Sequence, residues 1–361
     1  MMDPSPGLEG VNVADTAISD VDGERGRLVI AGADVEQLAR TASFEEATGR
    51  VLAAGASAPA DPAGPRLGAA RAAAWELLPQ LGDALDHTDG MDALRTALAH
   101  LRSAGTDAAD AIAAVGAGPV FVAAWSRRRA GQAPLAPDPA LGHAADYLRM
   151  TTGRADGPAT AAAVAALDAY LVTVIDHAMS ASTFTARVIA STGSDLLSAV
   201  VGAIGALKGP LHGGAPGPVL DMLDAIGTPA GAEAWLLAEL AAGRRIMGMG
   251  HRVYRVRDPR AAVLEAAVRP LASPHLELAR AVEAAASKIL RERKPDRPLA
   301  ANVEFYTAVL LDAVGLPREQ FSATFAISRL AGWSAHVMEQ RRTGRLIRPA
   351  SRYIGAAAPA A

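Results

Sequence analysis

Four short segments gather side chains that move protons or hold anions. In Lys208-Gly-Pro-Leu-His212-Gly-Gly-Ala215, a histidine stands between Pro210 and a glycine pair. A helix must stop there, and backbone can approach a ligand closely; alone, such a histidine is as often a turn residue capping the preceding helix. The segment Gly248-Met-Gly-His251-Arg-Val-Tyr-Arg-Val-Arg-Asp-Pro-Arg260 sets a histidine beside two glycines whose amides could face a nucleotide or phosphate, although a lone Gly-x-Gly is a weak signal. The same segment clusters Arg252, Arg255, Arg257 and Arg260. Arginine clusters are usually solvated faces, and the adjoining histidine weighs the other way. Asn302-Val-Glu304-Phe-Tyr306 opens an apolar helix, so Glu304 is either a first-turn acid facing the helix dipole or a general base. In Ser328-Arg329-Leu-Ala-Gly-Trp333-Ser-Ala-His336, Arg329, Trp333 and His336 fall at i, i+4 and i+7 and share a face. That face is either a packing stripe with a buried, paired arginine or the wall of a polar pocket.

Four histidines, His177, His212, His251 and His336, invite a metal reading, but none forms a His-x-x-x-His pair and the chain has no cysteine. No protein-ligated metal is expected. The missing thiols also exclude disulfides and a cysteine nucleophile.

The elements that must position these residues are mainly helical. Residues 17–30 read as a hairpin turning at Asp22-Gly23, and Ser43-Phe44-Glu45-Glu46 as a helix opening. The Ala-, Pro- and Gly-rich stretch 55–65 reads as a loop. Beyond it, 91–101, 158–175, 195–207, 277–291, 305–314 and 321–342 keep apolar residues on helical spacings, with Pro and Gly clusters between them. The predicted fold class is all-α with a minor N-terminal β element. The 361 residues suffice for about two domains. Aromatics are only 4%, so small aliphatic side chains must fill the core. A net charge of −3 without a basic tail argues against nucleic-acid or anionic-membrane partners. The basic residues are nearly all arginine, a bias that is either genomic or suited to bidentate recognition of carboxylate and phosphate. Neither a secretory leader nor an uninterrupted apolar span is evident, and a cytoplasmic protein is expected.

In this order the segments resemble the citrate synthase family, over nearly the whole chain. The resemblance begins at Gly7-Leu-Glu-Gly-Val-Asn-Val and Asp22-Gly-Glu-Arg-Gly. It runs through Met91-Asp-Ala-Leu-Arg-Thr-Ala, Asp176-His177 and Ala181-Ser-Thr-Phe-Thr-Ala-Arg, takes in the three segments around His212, His251 and Glu304, and closes at Arg345-Leu-Ile-Arg348-Pro. It implies a homodimer of multi-helical subunits, each with a large domain (1–212 plus 311–361) and a small domain (213–310) that closes over the cleft. It implies oxaloacetate held by His177, His251, Arg260, Arg329 and, across the dimer interface, Arg348. Coenzyme A would meet Met247, Gly248, Met249 and Gly250, with Arg255 and Arg297 near its phosphates. His212, His251 and Glu304 would be catalytic: His212 hydrogen-bonds the thioester oxygen, His251 polarises the ketone, and Glu304 takes the proton. No cofactor beyond the acyl-CoA co-substrate is implied. The activity expected is citrate synthesis from acetyl-CoA and oxaloacetate; the alternatives are 2-methylcitrate synthesis from propionyl-CoA, or a catalytically weak paralogue that binds oxaloacetate or CoA.

Several positions depart from the family pattern and suggest a divergent paralogue. Glu304 stands where aspartate is usual, Ser180 where asparagine is common and Leu197 where tyrosine is common. Val-Ile-Ala at 29–31 replaces a frequent Tyr-Arg-Gly, and 55–65 lacks the usual Leu-Pro-Thr element.

Overall fold

A computed structural model describes residues 7–8, 10–154, 158–213, 216–293 and 299–356. Among them lie fifteen α-helices and one small antiparallel sheet, in agreement with the mainly helical class expected from the sequence.

The sheet comes first. Strands β1 (Ser19–Asp22) and β2 (Arg27–Ile30) pair with Ser19 opposite Ile30 and Asp22 opposite Arg27. Asp22 accepts the Arg25 amide at 3.0 Å, which closes the turn. Leu28 and Ile30 point into the core, Val29 is partly buried and Arg27 stays exposed, so the strand has one buried face. A third strand, β3 (Ala33–Asp34), follows a turn at Gly32 and is too short to leave a sequence pattern.

The helices follow in chain order: α1 (Val35–Thr41), α2 (Phe44–Ala56), α3 (Gly64–Trp75), α4 (Gly90–Leu98), α5 (Asp107–Arg129), α6 (His143–Thr152), α7 (Pro158–Thr173), α8 (Ala181–Ser191) and α9 (Leu196–Leu207). Then come α10 (Pro216–Ile226), α11 (Ala232–Ala241), α12 (Pro259–Val268), α13 (His275–Arg293), α14 (Val303–Ala313) and α15 (Phe321–Thr343). Their starts obey side-chain chemistry. Ser43 and Glu46 form a reciprocal capping box on α2, Ser180 caps α8, Asp195 caps α9, Asp258 caps α12 and Asn302 caps α14, each worth about 1 kcal/mol. Serine at 180 thus performs the capping that asparagine would.

The stretch 55–65 is not all loop. Gly55 and Ala56 complete α2, and Gly64-Pro65 opens α3, leaving only 57–63 between helices. The reason is packing: α2 lies so close to α15 that a Cβ on Gly55 would stand 2.7 Å from the Ala335 Cα. The glycine that reads as a breaker is a contact point.

Two long helices carry the core. One 18-residue window of α5 is apolar enough, by length and composition, to cross a membrane, and 83% of it is buried inside the fold. Helix α15 is buried over nearly its whole length and packs on α2, α5, α8 and α9. Its fully buried Trp333, like Trp125 of α5, supplies bulk in an otherwise small-residue core. Helix α15 is also the wall against which the candidate site is built.

Candidate active site

Just beyond α7, Asp176, His177 and Ala178 form a tight loop, with Ala178 in the left-handed region at φ +49°, a conformation that a non-glycine residue keeps only when its surroundings hold it. The buried Asp176 carboxylate provides that hold. Its Oδ2 accepts the Ala178 amide at 3.0 Å, the Ser19 hydroxyl from β1 and His336 Nε2 of α15 at 3.3 Å, and Ser19 Oγ in turn accepts the Ala178 amide at 2.8 Å. Burial would raise the Asp176 pKa, but His336, Arg329 and Ser19 hold it below the ordinary value.

Behind this loop lies a second layer. Arg187 of α8 donates to His336 Nδ1 (3.0 Å from Nε), to Gln340 Oε1 (3.0 Å) and to the Glu339 carboxylate. Because a guanidinium only donates, His336 Nδ1 must be the acceptor and Nε2 must carry the proton given to Asp176. His336 is therefore spoken for on both nitrogens. The sequence alternatives for the α15 stripe resolve into a mixture: Trp333 and His336 brace neighbouring elements, and Arg329 is the member left incompletely paired.

His212 is fixed by the same logic. Its Nε2 accepts the Ser182 backbone amide at 3.2 Å and pairs with Ser182 Oγ at 2.8 Å. Ser182 Oγ receives the Trp333 indole N–H at 3.1 Å. A backbone amide cannot accept, so Nε2 is unprotonated and the donor is Nδ1. Burial, with Arg329 adding to it, pushes the His212 pKa down to about 4. At neutral pH the ring is an uncharged N–H donor of defined direction.

The third group lies on the loop before α12. His251 Nδ1 accepts the amides of Val253 and Tyr254 at 3.0 and 3.1 Å, so Nε2 bears its proton. Burial and Arg260 lower its pKa to about 4. The His177 and His251 rings meet edge to face with centroids 5.4 Å apart, and the Tyr254 hydroxyl is 3.2 Å from His177 Nε2. His177 is held neutral chiefly by burial, then by Arg260 and Arg329. Arg260 is buried and grips Asp258 with two bonds, 3.0 and 2.8 Å, while its Cζ lies 5.8 Å from the Tyr254 ring centre. Asp258 Oδ2 also accepts the Val303 amide at 3.2 Å, tying this loop to the start of α14.

Glu304 occupies the second position of α14, where Asn302 Oδ1 accepts its amide at 3.0 Å. Its carboxylate makes no hydrogen bond among the described residues. Burial pushes its pKa up to about 7, against the pull of the Arg260 charge. Such a carboxyl is half ionised near neutrality and takes a proton easily. The backbone of 248–250 is welded to the approach of α14, with Met249 in an isolated antiparallel bridge to Ala301: Gly250 N donates to Ala300 O at 2.7 Å, Asn302 N to Gly248 O at 2.9 Å, and Asn302 Nδ2 to Gly250 O at 2.9 Å. Gly248 and Gly250 have φ of +72° and +90°, and a Cβ on Gly248 would press into Phe305. Met247 and Met249 flank them, partly buried.

Arg329 binds the cluster together. It is buried, donates from Nε to the Val174 carbonyl at 2.6 Å, lies over the Phe325 ring at 4.9 Å, and leaves Nη1 without a hydrogen-bond partner among the described residues. Burial pushes its pKa down to about 10, so it stays cationic at neutral pH. Its charge depresses both His177 and His212, and Arg260 feels Glu304. The structure thus brings together His177, His212, His251, Arg260, Glu304 and Arg329. Arg255 is half exposed on the rim, its side chain 3.9 Å from Glu24. Arg348 is exposed in the extended segment after α15, with no hydrogen bond or ion pair among the described residues. Arg297 lies outside the described residues. Among the described residues no group of three or more His, Cys, Asp or Glu side chains is arranged to hold a metal. A separate groove of about 750 Å³, walled by Pro62, Pro65, Gly142 and Asp168 among others, contains none of these side chains.

Ser182, Tyr254 and Asp258 join the site although sequence reasoning gave them no role. Asp258 carried a usable signal, since Asp-Pro before Arg260 marks a helix N-terminus and puts a carboxylate within reach of that arginine. Ser182 carried none, because its partner His212 is thirty residues away.

Comparison with known proteins agrees with this arrangement. The family model described as "Citrate synthase, C-terminal domain" matches residues 7–350. The citrate synthase of Deinococcus radiodurans is 36% identical over 99% of this chain and 97% of its own. The 2-methylcitrate synthase of Mycobacterium tuberculosis is 37% identical over 98% and 91%. With putative citrate synthase 2 of Mycobacterium bovis the identity is 53%, and the match spans 53% of this chain and 52%, about half, of that relative. Among solved structures, the citrate synthase of Thermotoga maritima superposes with a TM-score of 0.84 at 33% identity, covering 97% of this chain and 95% of the other. That of Thermoplasma acidophilum, solved in ternary complex with carboxymethyl coenzyme A and oxaloacetate, gives 0.87 at 27% over 100% and 98%. A match that runs from before the hairpin to beyond α15, carried by relatives that align end to end, leaves one reading: the chain belongs to the citrate synthase family.

Proposed function

We propose that this protein joins an acyl-CoA to oxaloacetate and hydrolyses the resulting thioester, acetyl-CoA giving citrate. The observation that carries the reading is Arg329: a buried guanidinium with one orphaned nitrogen, next to Arg260 and ringed by neutral histidines. A buried unsatisfied cation is costly and calls for an anionic ligand. Two guanidinium groups suit the two carboxylates of oxaloacetate.

In the proposed mechanism Glu304 removes a proton from the carbon next to the thioester carbonyl. The His212 Nδ1–H stabilises the enol oxygen, its direction set by Ser182. The His251 Nε2–H hydrogen-bonds the ketone oxygen of oxaloacetate, whose carbon the enol then attacks. A carbon–carbon bond forms, the ketone oxygen receives through His251 the proton that Glu304 had removed, and water adds to the thioester carbonyl so that CoA leaves as the thiol and a carboxylate remains. Met247, Gly248, Met249, Gly250, Arg255 and Arg297 are assigned to the CoA side, His177 to oxaloacetate, and Arg348 to the cleft of a second copy in a homodimer. The 213–310 region closes over the cleft and excludes water until the bond is made. The chemistry as written uses no metal or redox cofactor, and a cytoplasmic setting is assigned.

Relatives named for both citrate and 2-methylcitrate synthesis match at nearly equal identity, so propionyl-CoA is the second reading. One methylene in an apolar pocket is worth only about 1–3 kcal/mol. The test is CoA thiol release by the purified protein with oxaloacetate and either acyl-CoA. Release that requires oxaloacetate supports the proposal, and the ratio of kcat/KM values names the substrate. A folded protein that binds oxaloacetate yet releases no thiol from either would defeat it.

A further inference from the structure

The motif Asp22-Gly-Glu-Arg-Gly, in the turn of the N-terminal hairpin, has no part in the chemistry above. Yet the hairpin touches both loops that carry the paired histidines. On one side, Ser19 of β1 bonds to the residues before and after His177: its hydroxyl donates to the Asp176 carboxylate and accepts the Ala178 amide at 2.8 Å. On the other side, the turn four residues later seats the His251 loop. Gly23 O accepts the Arg255 amide at 2.9 Å, and Arg255 pairs with Glu24. The fit is close: a Cβ on Gly23 would overlap the carbonyl oxygen of Val253 and stand 2.8 Å from its carbonyl carbon, and a Cβ on Gly26 would stand 2.6 Å from Val256 Cγ2. Val253 is the residue whose amide donates to His251 Nδ1. A strand rises about 3.3 Å per residue, and the two contacts of this one reach the separate loops of a histidine pair whose rings are 5.4 Å apart.

We infer that the β1–β2 hairpin is the positioning element that sets the His177–His251 spacing, with Ser19 and Gly23 as its positioning residues. The inference rests on the function proposed above, in which this pair faces oxaloacetate. It gives the N-terminal segment, remote in sequence from every reacting side chain, a specific role. Ser19 orients His177, and the flat face of Gly23 lets the Val253–Arg255 backbone settle so that both amides reach His251.

The test uses three single variants of the full chain, Gly23→Ala, Ser19→Ala and Gly32→Ala. Gly32 is in the neighbouring turn at φ +79°, and a Cβ there meets nothing within 4 Å, so this variant strains the sheet without touching either loop. Steady-state kinetics are read together with the side-chain nitrogen NMR signals of His177 and His251. Gly23→Ala is expected to lower kcat/KM for oxaloacetate on the order of a hundredfold and to shift the His251 signals as Nδ1 loses its amide donors. Ser19→Ala is expected to shift the His177 signals and leave those of His251 in place. Gly32→Ala is expected to lower the melting temperature while retaining kcat/KM. A folded Gly23→Ala protein with wild-type kcat/KM and unmoved His251 signals overturns the inference. Should Gly23→Ala not fold, Ser19→Ala decides, and unmoved His177 signals with wild-type kinetics overturn it equally. The NMR signals need no turnover, so a wild-type chain without thiol release whose signals respond as stated would sink the functional proposal and leave the hairpin's role standing.

Discussion

Replacing Glu304 by glutamine should make the unliganded protein more stable and, in the same step, inactive. In the fold this carboxyl has a pKa of about 7, raised from 4.5 chiefly by burial. Between those values the folded chain holds a proton that the unfolded chain has released. Stability therefore falls as pH rises through this window, and the penalty is complete above pH 7. At roughly 1.4 kcal/mol per pH unit, the interval from 4.5 to about 7 amounts to at most about 3.5 kcal/mol, less whatever solvent reaches the carboxylate. Glutamine has nearly the same shape and no charge, so the variant should exceed wild type by up to that amount in urea unfolding at pH 8. Below pH 4.5 the two should coincide. As the proposed base, the same carboxyl would govern catalysis in the opposite sense. A base acts only when ionised, so on that proposal wild-type kcat/KM for oxaloacetate should rise about tenfold from pH 6 to pH 8. His212 and His251, both near 4, stay neutral throughout and add no limb of their own. Equal stability of the two proteins at pH 8, or a flat rate profile between pH 6 and 8, would refute the reasoning.

Ser182→Ala leaves the backbone amide that fixes His212 but removes the hydroxyl linking it to Trp333; kcat should fall about tenfold to a hundredfold with KM little changed, as steady-state kinetics will show. Glu339→Gln leaves the buried Arg187 without its carboxylate, and urea unfolding should register a loss of about 3–5 kcal/mol. If Arg348 completes the site of a second copy, Arg348→Ala and Glu304→Gln proteins, each inactive alone, should recover thiol release when unfolded and refolded together. Persistent inactivity of the refolded mixture would place Arg348 outside the partner's cleft.

Much of this was legible in the sequence, for identifiable reasons. The hairpin announced itself through the Asp22-Gly23 turn and the apolar Leu28-Val29-Ile30 beyond it, and α14 and α15 through long apolar periods behind their opening residues. His212, His251 and Glu304 stood out because each interrupts or opens an element where polar chemistry has a local purpose. What could not be read was pairing across the chain. Nothing near Ser182 signals that its hydroxyl will meet a histidine thirty residues on and an indole 151 residues on. Gly55 misled because glycine breaks a helix by local rules yet also permits two helices to touch, and only the neighbour decides which applies. Arg329 was placed on the right face of α15, but only the fold shows that its Nη1 finds no partner among the described residues while Arg187, on α8, is fully engaged.

The hydrogen bond from the Ala17 amide to Glu339 spans 322 residues, and it bears on how the protein is made. Glu339 belongs to the same buried group as Arg187 and His336, which holds Asp176 and, through Ser19, the hairpin. On a ribosome that adds residues from the N-terminus, the hairpin and α8 emerge long before α15 exists to receive them. Until then Arg187 has no carboxylate and the Asp176 loop no histidine at its back, so the cleft cannot preassemble on the nascent chain. Such closure of the first residues upon the last is slow, high-contact-order folding. A chain released before α15 therefore has the sequence of most of the site but lacks Arg329 and the His336 that backs the Asp176 loop.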